Sequence, residues 1–265
     1  MYNFTFHRPT GLRQASNMLG KLEEAKILAG GQTLIPTMKL RLASPGNIVD
    51  LNSIAGELSG IELKGRSIMI GAMTRHADVH RSDVAKRVIP SLAAMAGMIG
   101  DPAVRNRGTI GGSIANNDPA ADYPAAVVAL NATVRTNKRE IAADNFFTGM
   151  FETALEPDEI ITAVRFPKPD VGNYQKFRNP ASRYAIVGVY VAKTGGAVRV
   201  AVTGAGPVVF RVPEMEAALA KSFTPDAIKD IAIKDDGLNS DIHASAEYRA
   251  HLVNVMARRA VAACA

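Results

Sequence analysis

The chain has 265 residues and one cysteine, Cys264, at the penultimate position. A single thiol cannot close an intrachain disulfide, ligate an iron–sulfur cluster or build a thiolate zinc site. Any redox chemistry here must use an organic carrier or groups held by another chain. Long apolar runs are missing too: no stretch nears the roughly 20 residues that span a bilayer, so no transmembrane segment is expected. The first residues, MYNFTFHRPTGLRQASNML, lack the basic, apolar and small-residue succession of a secretory signal, and a cytoplasmic location is the expectation. The sequence has no G-x-x-x-x-G-K-[ST], no G-x-G-x-x-G and no G-x-S-x-G, which excludes a P-loop, a Rossmann fingerprint and a nucleophile elbow. His76 and His80 stand four apart, but no Glu follows His76 as in H-E-x-x-H, and their polar neighbours predict a solvated helix face rather than a metal site.

What is present is an ordinary globular composition, 47% hydrophobic and 21% charged, with a formal charge of +6. The basic residues are scattered and not interleaved with aromatics, so nucleic acid is not an expected partner, while an anionic cofactor would need only a few of these charges. Three segments follow one another without an obvious linker. Residues 1–55 carry an amphipathic helix with Leu12, Ala15, Leu19 and Leu22 on one side, then the strands of KILAGG and NIVDL, an α/β-type arrangement. Residues 56–170 open on two strands, Ile61 to Lys64 and Ser67 to Ala72, around a Lys-Gly-Arg turn. A mostly helical stretch follows, broken at Pro90 and ended at Gly100. Residues 171–265 read as strands separated by Gly-Gly and Gly-Ala-Gly turns, then helices, an α+β unit packed on the rest.

Two glycine pairs stand out, one in LAGGQTLIP (Leu28 to Pro36) and one in RNRGTIGGSIANNDPAADYPAAV (Arg105 to Val127). Glycine admits positive φ and lets a ligand approach the main chain, and successive N–H groups in such a turn can hold an anion. Thr33, Thr109 and Ser113 add hydroxyls, and Asn116, Asn117 and Asp122 follow; Asp122 is placed to accept from ribose hydroxyls. Asp118, before Pro119, is expected to cap a turn or helix. Two loops could thus clasp a diphosphate-linked dinucleotide. Two tight surface turns with helix caps explain the same residues.

These blocks, with RSIMIGAMT, EPDEIITAVRFP and YQKFRNPASRYAIVGV in the same order, resemble the flavin-binding subunits of the molybdenum hydroxylases. That family includes the medium subunit of aerobic carbon monoxide dehydrogenase and the flavin domain of xanthine dehydrogenase. The resemblance covers nearly the whole chain. It implies an α+β fold: a vanillyl-alcohol-oxidase-type (PCMH-type) FAD-binding domain over 1–170, in subdomains of about 1–55 and 56–170, and a C-terminal flavoprotein domain over 171–265.

The resemblance also implies FAD between the two subdomains, not covalently attached, since neither glycine loop holds His or Cys. Leu28, Ala29, Gly30, Gly31, Gln32, Thr33, Leu34 and Ile35 would form one loop on the diphosphate. Thr109, Ile110, Gly111, Gly112 and Ser113 would form the other, with Asn116 beside it and Asp122 toward the ribose. Ile99 would lie against adenine. Ile161 would be a second adenine neighbour or simply a core strand residue. Lys176 would approach the flavin, with Arg178 one offset away as competitor, and Tyr184 would approach the isoalloxazine ring or merely begin a strand.

The implied role is electron transfer. A large subunit carries the molybdenum cofactor, a small subunit carries two [2Fe-2S] clusters, and FAD on this chain passes electrons to an external acceptor. The implied assembly is a dimer of heterotrimers, cytoplasmic or held at the inner face of the membrane through partners. No catalytic acid–base pair is visible beside the loops. That weighs against a stand-alone flavin oxidoreductase, and the intact loops weigh against an assembly subunit without redox function.

Overall fold

The computed structural model describes residues 1–264. Each segment has one main sheet, and a two-stranded hairpin adds a fourth. In the first, β1 (Thr5–His7), α1 (Leu12–Lys21), β2 (Ala25–Leu28), α2 (Leu34–Lys39) and β3 (Asn47–Asp50) build a parallel sheet of order β1-β3-β2. Parallel neighbours need crossover connections, and α1 and α2 supply them. Ala15 of α1 is fully buried with Val49 and Leu51 in a small core of their own.

After a short helix, α3 (Ala55–Leu58), come β4 (Ile61–Lys64) and β5 (Ser67–Gly71), paired through the turn expected from the sequence. The helical stretch resolves into α4 (His76–Arg81), α5 (Asp83–Val88) and α6 (Pro90–Gly97). Pro90 stands in the first turn of α6, where its missing N–H costs nothing. Next are α7 (Pro102–Arg105), α8 (Ile110–Asn116), α9 (Tyr123–Ala129), β6 (Thr133–Thr136), β7 (Glu140–Ala142), a small hairpin of β8 (Phe147–Gly149) and β9 (Glu152–Thr153), and β10 (Ile161–Pro167). The second sheet has the order β4-β5-β10-β6-β7 and is antiparallel throughout.

The third sheet, β11 (Val171–Arg178), β12 (Ala185–Thr194), β13 (Ala197–Thr203) and β14 (Phe210–Arg211), is an antiparallel meander. The Gly195-Gly196 turn has positive φ at both residues, as a tight hairpin turn requires. Two helices, α10 (Pro213–Lys221) and α11 (Ala246–Ala262), cover one face of it and enclose a second large core. The other face joins the main core, which contains Tyr174, Tyr190, Ala192 and Ala201 together with α6, α8 and α9. The molecule is therefore a mixed helix and strand fold in which the third sheet completes the core of the second segment.

Candidate functional site

α9 has the sequence YPAAVVA, and every residue of it is buried. An all-apolar helix is drawn wholly into the core, and it carries the preceding Asp122 inside with it, at 4% exposure. The carboxylate is fully engaged there. Oδ1 accepts a hydrogen bond from the Tyr174 hydroxyl at 2.5 Å, and Oδ2 accepts from Lys176 Nζ at 2.9 Å. Tyr174 and Lys176 lie two apart on β11, so both project from one side of the strand. Burial pushes the Asp122 pKa upward, against the pull of the Lys176 charge and of the two hydrogen bonds. Burial and the neighbouring carboxylate push the Tyr174 hydroxyl well above its ordinary range, so it stays a donor. Both carboxylate oxygens are hydrogen-bonded, and removing one partner of such a buried pair costs about 3–5 kcal/mol.

The turn before Asp122 is held from the C-terminal side. The Thr203 hydroxyl lies 3.0 Å from the Pro119 carbonyl oxygen and 2.7 Å from that of Ala121, the Gly204 N–H donates to Pro119, and the Ala185 N–H donates to Ala120. Asp118 accepts from the Ala120 N–H at 2.8 Å, closing a turn; it does not cap α9.

Three cations gather on the carbonyls that end α6. Lys176 Nζ lies 3.3 Å from Met98 O, Arg105 donates to Ile99 O and Gly100 O, and Arg183 donates to Gly100 O. The free carbonyls of a helix C-terminus attract positive charge. Ile99 is thus part of a turn ringed by basic groups.

The first glycine loop spans Ala29 to Thr33, between β2 and α2; Leu34 and Ile35 already belong to the helix. Gly31 has φ +73°, the left-handed conformation that favours glycine. A Cβ on Gly30 would overlap the Arg107 carbonyl oxygen, so the strand end can touch the α7–α8 connection only through glycine. The carbonyls of Gly31 and Thr33 are taken by Ile35 and Thr37. The N–H groups of Gly30, Gly31, Gln32 and Thr33 have no partner among the described residues. Consecutive free donors around a positive-φ glycine are backbone of the kind that can hold an anion.

The second glycine pair departs from expectation. Gly111 and Gly112 are not in a positive-φ turn but in the first turn of α8. Their N–H groups are already used: Gly111 donates to Ala72 O, Gly112 to the capping Thr109 Oγ1, and Ile110 to Thr74 O. This stretch offers a surface rather than a second backbone cradle. It lies beside the first loop, since a Cβ on Gly112 would stand 3.8 Å from that of Ala29.

Other expected site residues sort as follows. Asp122 was expected to face ribose hydroxyls, but both its oxygens are occupied within the protein. Ser113 and Asn116 are half-buried on α8, whereas Asn117 is buried with φ +44° and ties α8 to Gly149 and Glu152. Ile161 is 5% exposed in the main core, as a core strand residue would be. Between the two basic candidates, Lys176 reaches the interior and Arg178 is exposed. Tyr184 is half exposed just before β12, its hydroxyl pushed up by burial and by the charges of Asp118 and Asp122.

The solvated face expected for His76 and His80 holds only for His80. His76 is 4% exposed, with its ring 5.4 Å from that of Tyr123. His76 Nδ1 and the Tyr123 hydroxyl are both buried without partners. Burial, and then the Arg105 charge, lower the His76 pKa to about 4. α4 is too short for its buried face to be read as a period, which hid this residue. Tyr174 was missed although a signal existed: it shares strand parity with Lys176.

Comparison with known proteins gives a consistent result. Residues 2–169 match the family described as FAD binding domain in molybdopterin dehydrogenase, and residues 172–264 match the CO dehydrogenase flavoprotein C-terminal domain. The chain is 36% identical to the carbon monoxide dehydrogenase medium chain of Hydrogenophaga pseudoflava, covering 97% of this chain and 96% of that one. It is 37% identical to the nicotine 6-hydroxylase medium subunit of Paenarthrobacter nicotinovorans, covering 96% and 94%. Among solved structures, a chain of the Hydrogenophaga pseudoflava carbon monoxide dehydrogenase superposes with a TM-score of 0.88 at 34% identity, covering 99% of this chain and 97% of that one.

Proposed function

The chain belongs to the FAD-binding family of the molybdopterin dehydrogenases, and from that premise we propose that it is the flavin-bearing medium subunit of a molybdenum hydroxylase complex. It is an oxidoreductase subunit. The match runs over the full length of medium subunits, which favours this reading over a stand-alone flavin enzyme. Bound FAD supplies the electron-carrying chemistry; the protein supplies position and electrostatics. The [2Fe-2S] clusters and the molybdenum cofactor sit on small and large partner subunits. Among the described residues no group of His, Cys, Asp and Glu could hold a metal.

The observation that carries the reading is the row of free N–H groups from Gly30 to Thr33 around the positive-φ Gly31. It fits a diphosphate, with Thr109 to Ser113 of α8 forming the facing wall. Lys176 stands at the flavin end, fixed by Asp122, and half-exposed Tyr184 flanks the same end. In this reading residues 1–170 form a PCMH-type domain and 171–265 the C-terminal flavoprotein domain. The complex is a dimer of heterotrimers in the cytoplasm. No helix among the described residues is long and apolar enough to cross a membrane.

The test is direct. The purified protein, alone or in its complex, should show flavin absorbance, and acid precipitation should release FAD to the supernatant in about one equivalent per chain. Failure to bind FAD under any loading condition overturns the proposal. Yellow colour retained in the acid pellet overturns the non-covalent part of it.

A further inference from the structure

The geometry around Asp122 assigns Tyr174 a role that neither glycine loop indicates: it is a positioning residue that, through Asp122, fixes the ammonium group of Lys176 at the flavin end of the site. This rests on the reading of the chain as a FAD subunit given above.

In the β11–β12 ladder Lys176 lies opposite Gly188 and Tyr174 opposite Tyr190. A Cβ on Gly188 would overlap the Tyr174 hydroxyl. The phenol therefore lies across the bare backbone of β12, the one path that brings its oxygen 2.5 Å from Asp122 Oδ1. Tyr190 packs beside it, ring centroids 6.0 Å apart, and is itself tied to Ser91. These contacts pack the Tyr174 ring inside the core, at 4% exposure.

Asp122 is equally constrained. Its backbone follows the turn held by Thr203, Gly204 and Ala185, and α9 buries it from the other side. With Oδ1 held by Tyr174, Oδ2 receives Lys176 Nζ, at 2.9 Å. Nζ has one further hydrogen-bond partner, Met98 O at 3.3 Å, at the longer end of hydrogen-bond range. A lysine has four rotatable side-chain bonds and a compact charge that goes where it is held. Here what holds it is a carboxylate, and what orients the carboxylate is a tyrosine. Neither Tyr174 nor Asp122 has a free polar atom to offer a ligand; Lys176 has its third proton.

The test uses the FAD-loaded protein; Tyr174→Phe and Asp122→Glu keep the net charge, and Lys176→Gln removes the charge whose placement is at issue. Tyr174→Phe removes one oxygen and leaves the ring. The expected result is a FAD dissociation constant raised about tenfold, the loss of one hydrogen bond to a charged group, and a lowered flavin midpoint potential, because Lys176 no longer stands fixed beside the reduced flavin. In a Lys176→Gln background the same change should add less than about twofold and leave the potential where Lys176→Gln puts it. That coupling is what a merely structural tyrosine would not produce. If Tyr174→Phe does not fold, Asp122→Glu is measured instead. It keeps the charge but moves the carboxylate by one methylene, and the same two shifts are expected. A variant that binds FAD with the parent's affinity and potential overturns the inference and leaves the FAD reading standing. Equal effects of Tyr174→Phe with and without Lys176 also overturn it. A parent protein that binds no FAD overturns the FAD reading itself.

Discussion

At the scale of single residues, two of the three buried side-chain polar atoms without a partner among the described residues lie side by side. His76 Nδ1 and the Tyr123 hydroxyl are enclosed behind the start of α8. The imidazole is neutral in the folded protein, with its pKa lowered from 6.5 to about 4 by burial and then by Arg105. The unfolded chain takes up a proton below about pH 6.5 that the folded chain refuses until about pH 4. Stability therefore falls as pH drops through that window and levels off below it, by a total on the order of 3 kcal/mol. Replacing His76 with Leu should flatten the limb between pH 6.5 and 4 in denaturant midpoints measured across pH. An unchanged slope in the variant would remove His76 as its source. Sequence reasoning placed this histidine in solvent because its immediate neighbours are polar. The ring packs against Tyr123 and the turn at Gly108, more than 30 residues downstream, and no local pattern encodes that.

Among elements, the two glycine pairs look alike in sequence and do different work. In the first, Gly30 lets β2 meet the Arg107 carbonyl, a backbone atom that cannot swing aside. Gly30→Ala should cost about 1–3 kcal/mol of stability, the range for overpacking, seen as a lowered melting temperature. In the second, Gly112 is helical, and an added Cβ would meet only Thr109 Oγ1 at 3.0 Å and Ala29 at 3.8 Å. Alanine is the better helix former by up to about 1 kcal/mol, so Gly112→Ala should hold or raise the melting temperature. It also narrows the gap between α8 and the first loop, and the FAD dissociation constant should rise about tenfold. Reversal of that ranking would show that the loop roles are exchanged. The strands and most helices were legible because alternation, 3.6-residue spacing and glycine turns are local. The helical state of Gly111 and Gly112 was not: it follows from the Thr109 cap and from Ala72 and Thr74, which accept the N–H groups of the helix's first turn.

For the whole molecule, the core ignores the division between the two family matches. Tyr174 and Tyr190 of the third sheet are packed in the same core as Leu92, Ile114 and Val127. Asp144 pairs with Arg199 and Arg211 across the same boundary, and Arg199 Nε also donates to Val128 O. Residues 1–170 expressed alone would expose the buried faces of α6 and α9, and exposed apolar surface of that kind drives aggregation. That fragment should be insoluble, or soluble with near-UV circular dichroism lost; a soluble fragment with native near-UV signal would contradict the shared core. The grip of Thr203, Gly204 and Ala185 on the turn at 119–121 has a consequence for recombination between relatives. Chimeras spliced at the seam near residue 170 would give Asp122 a foreign Tyr174, Lys176 and Thr203 whose spacing was set in another chain. A working hybrid should have to import the 118–122 turn together with the C-terminal half. Lineages that exchange such subunits between enzymes of different substrates would then trade the flavin chain whole, as one inherited block.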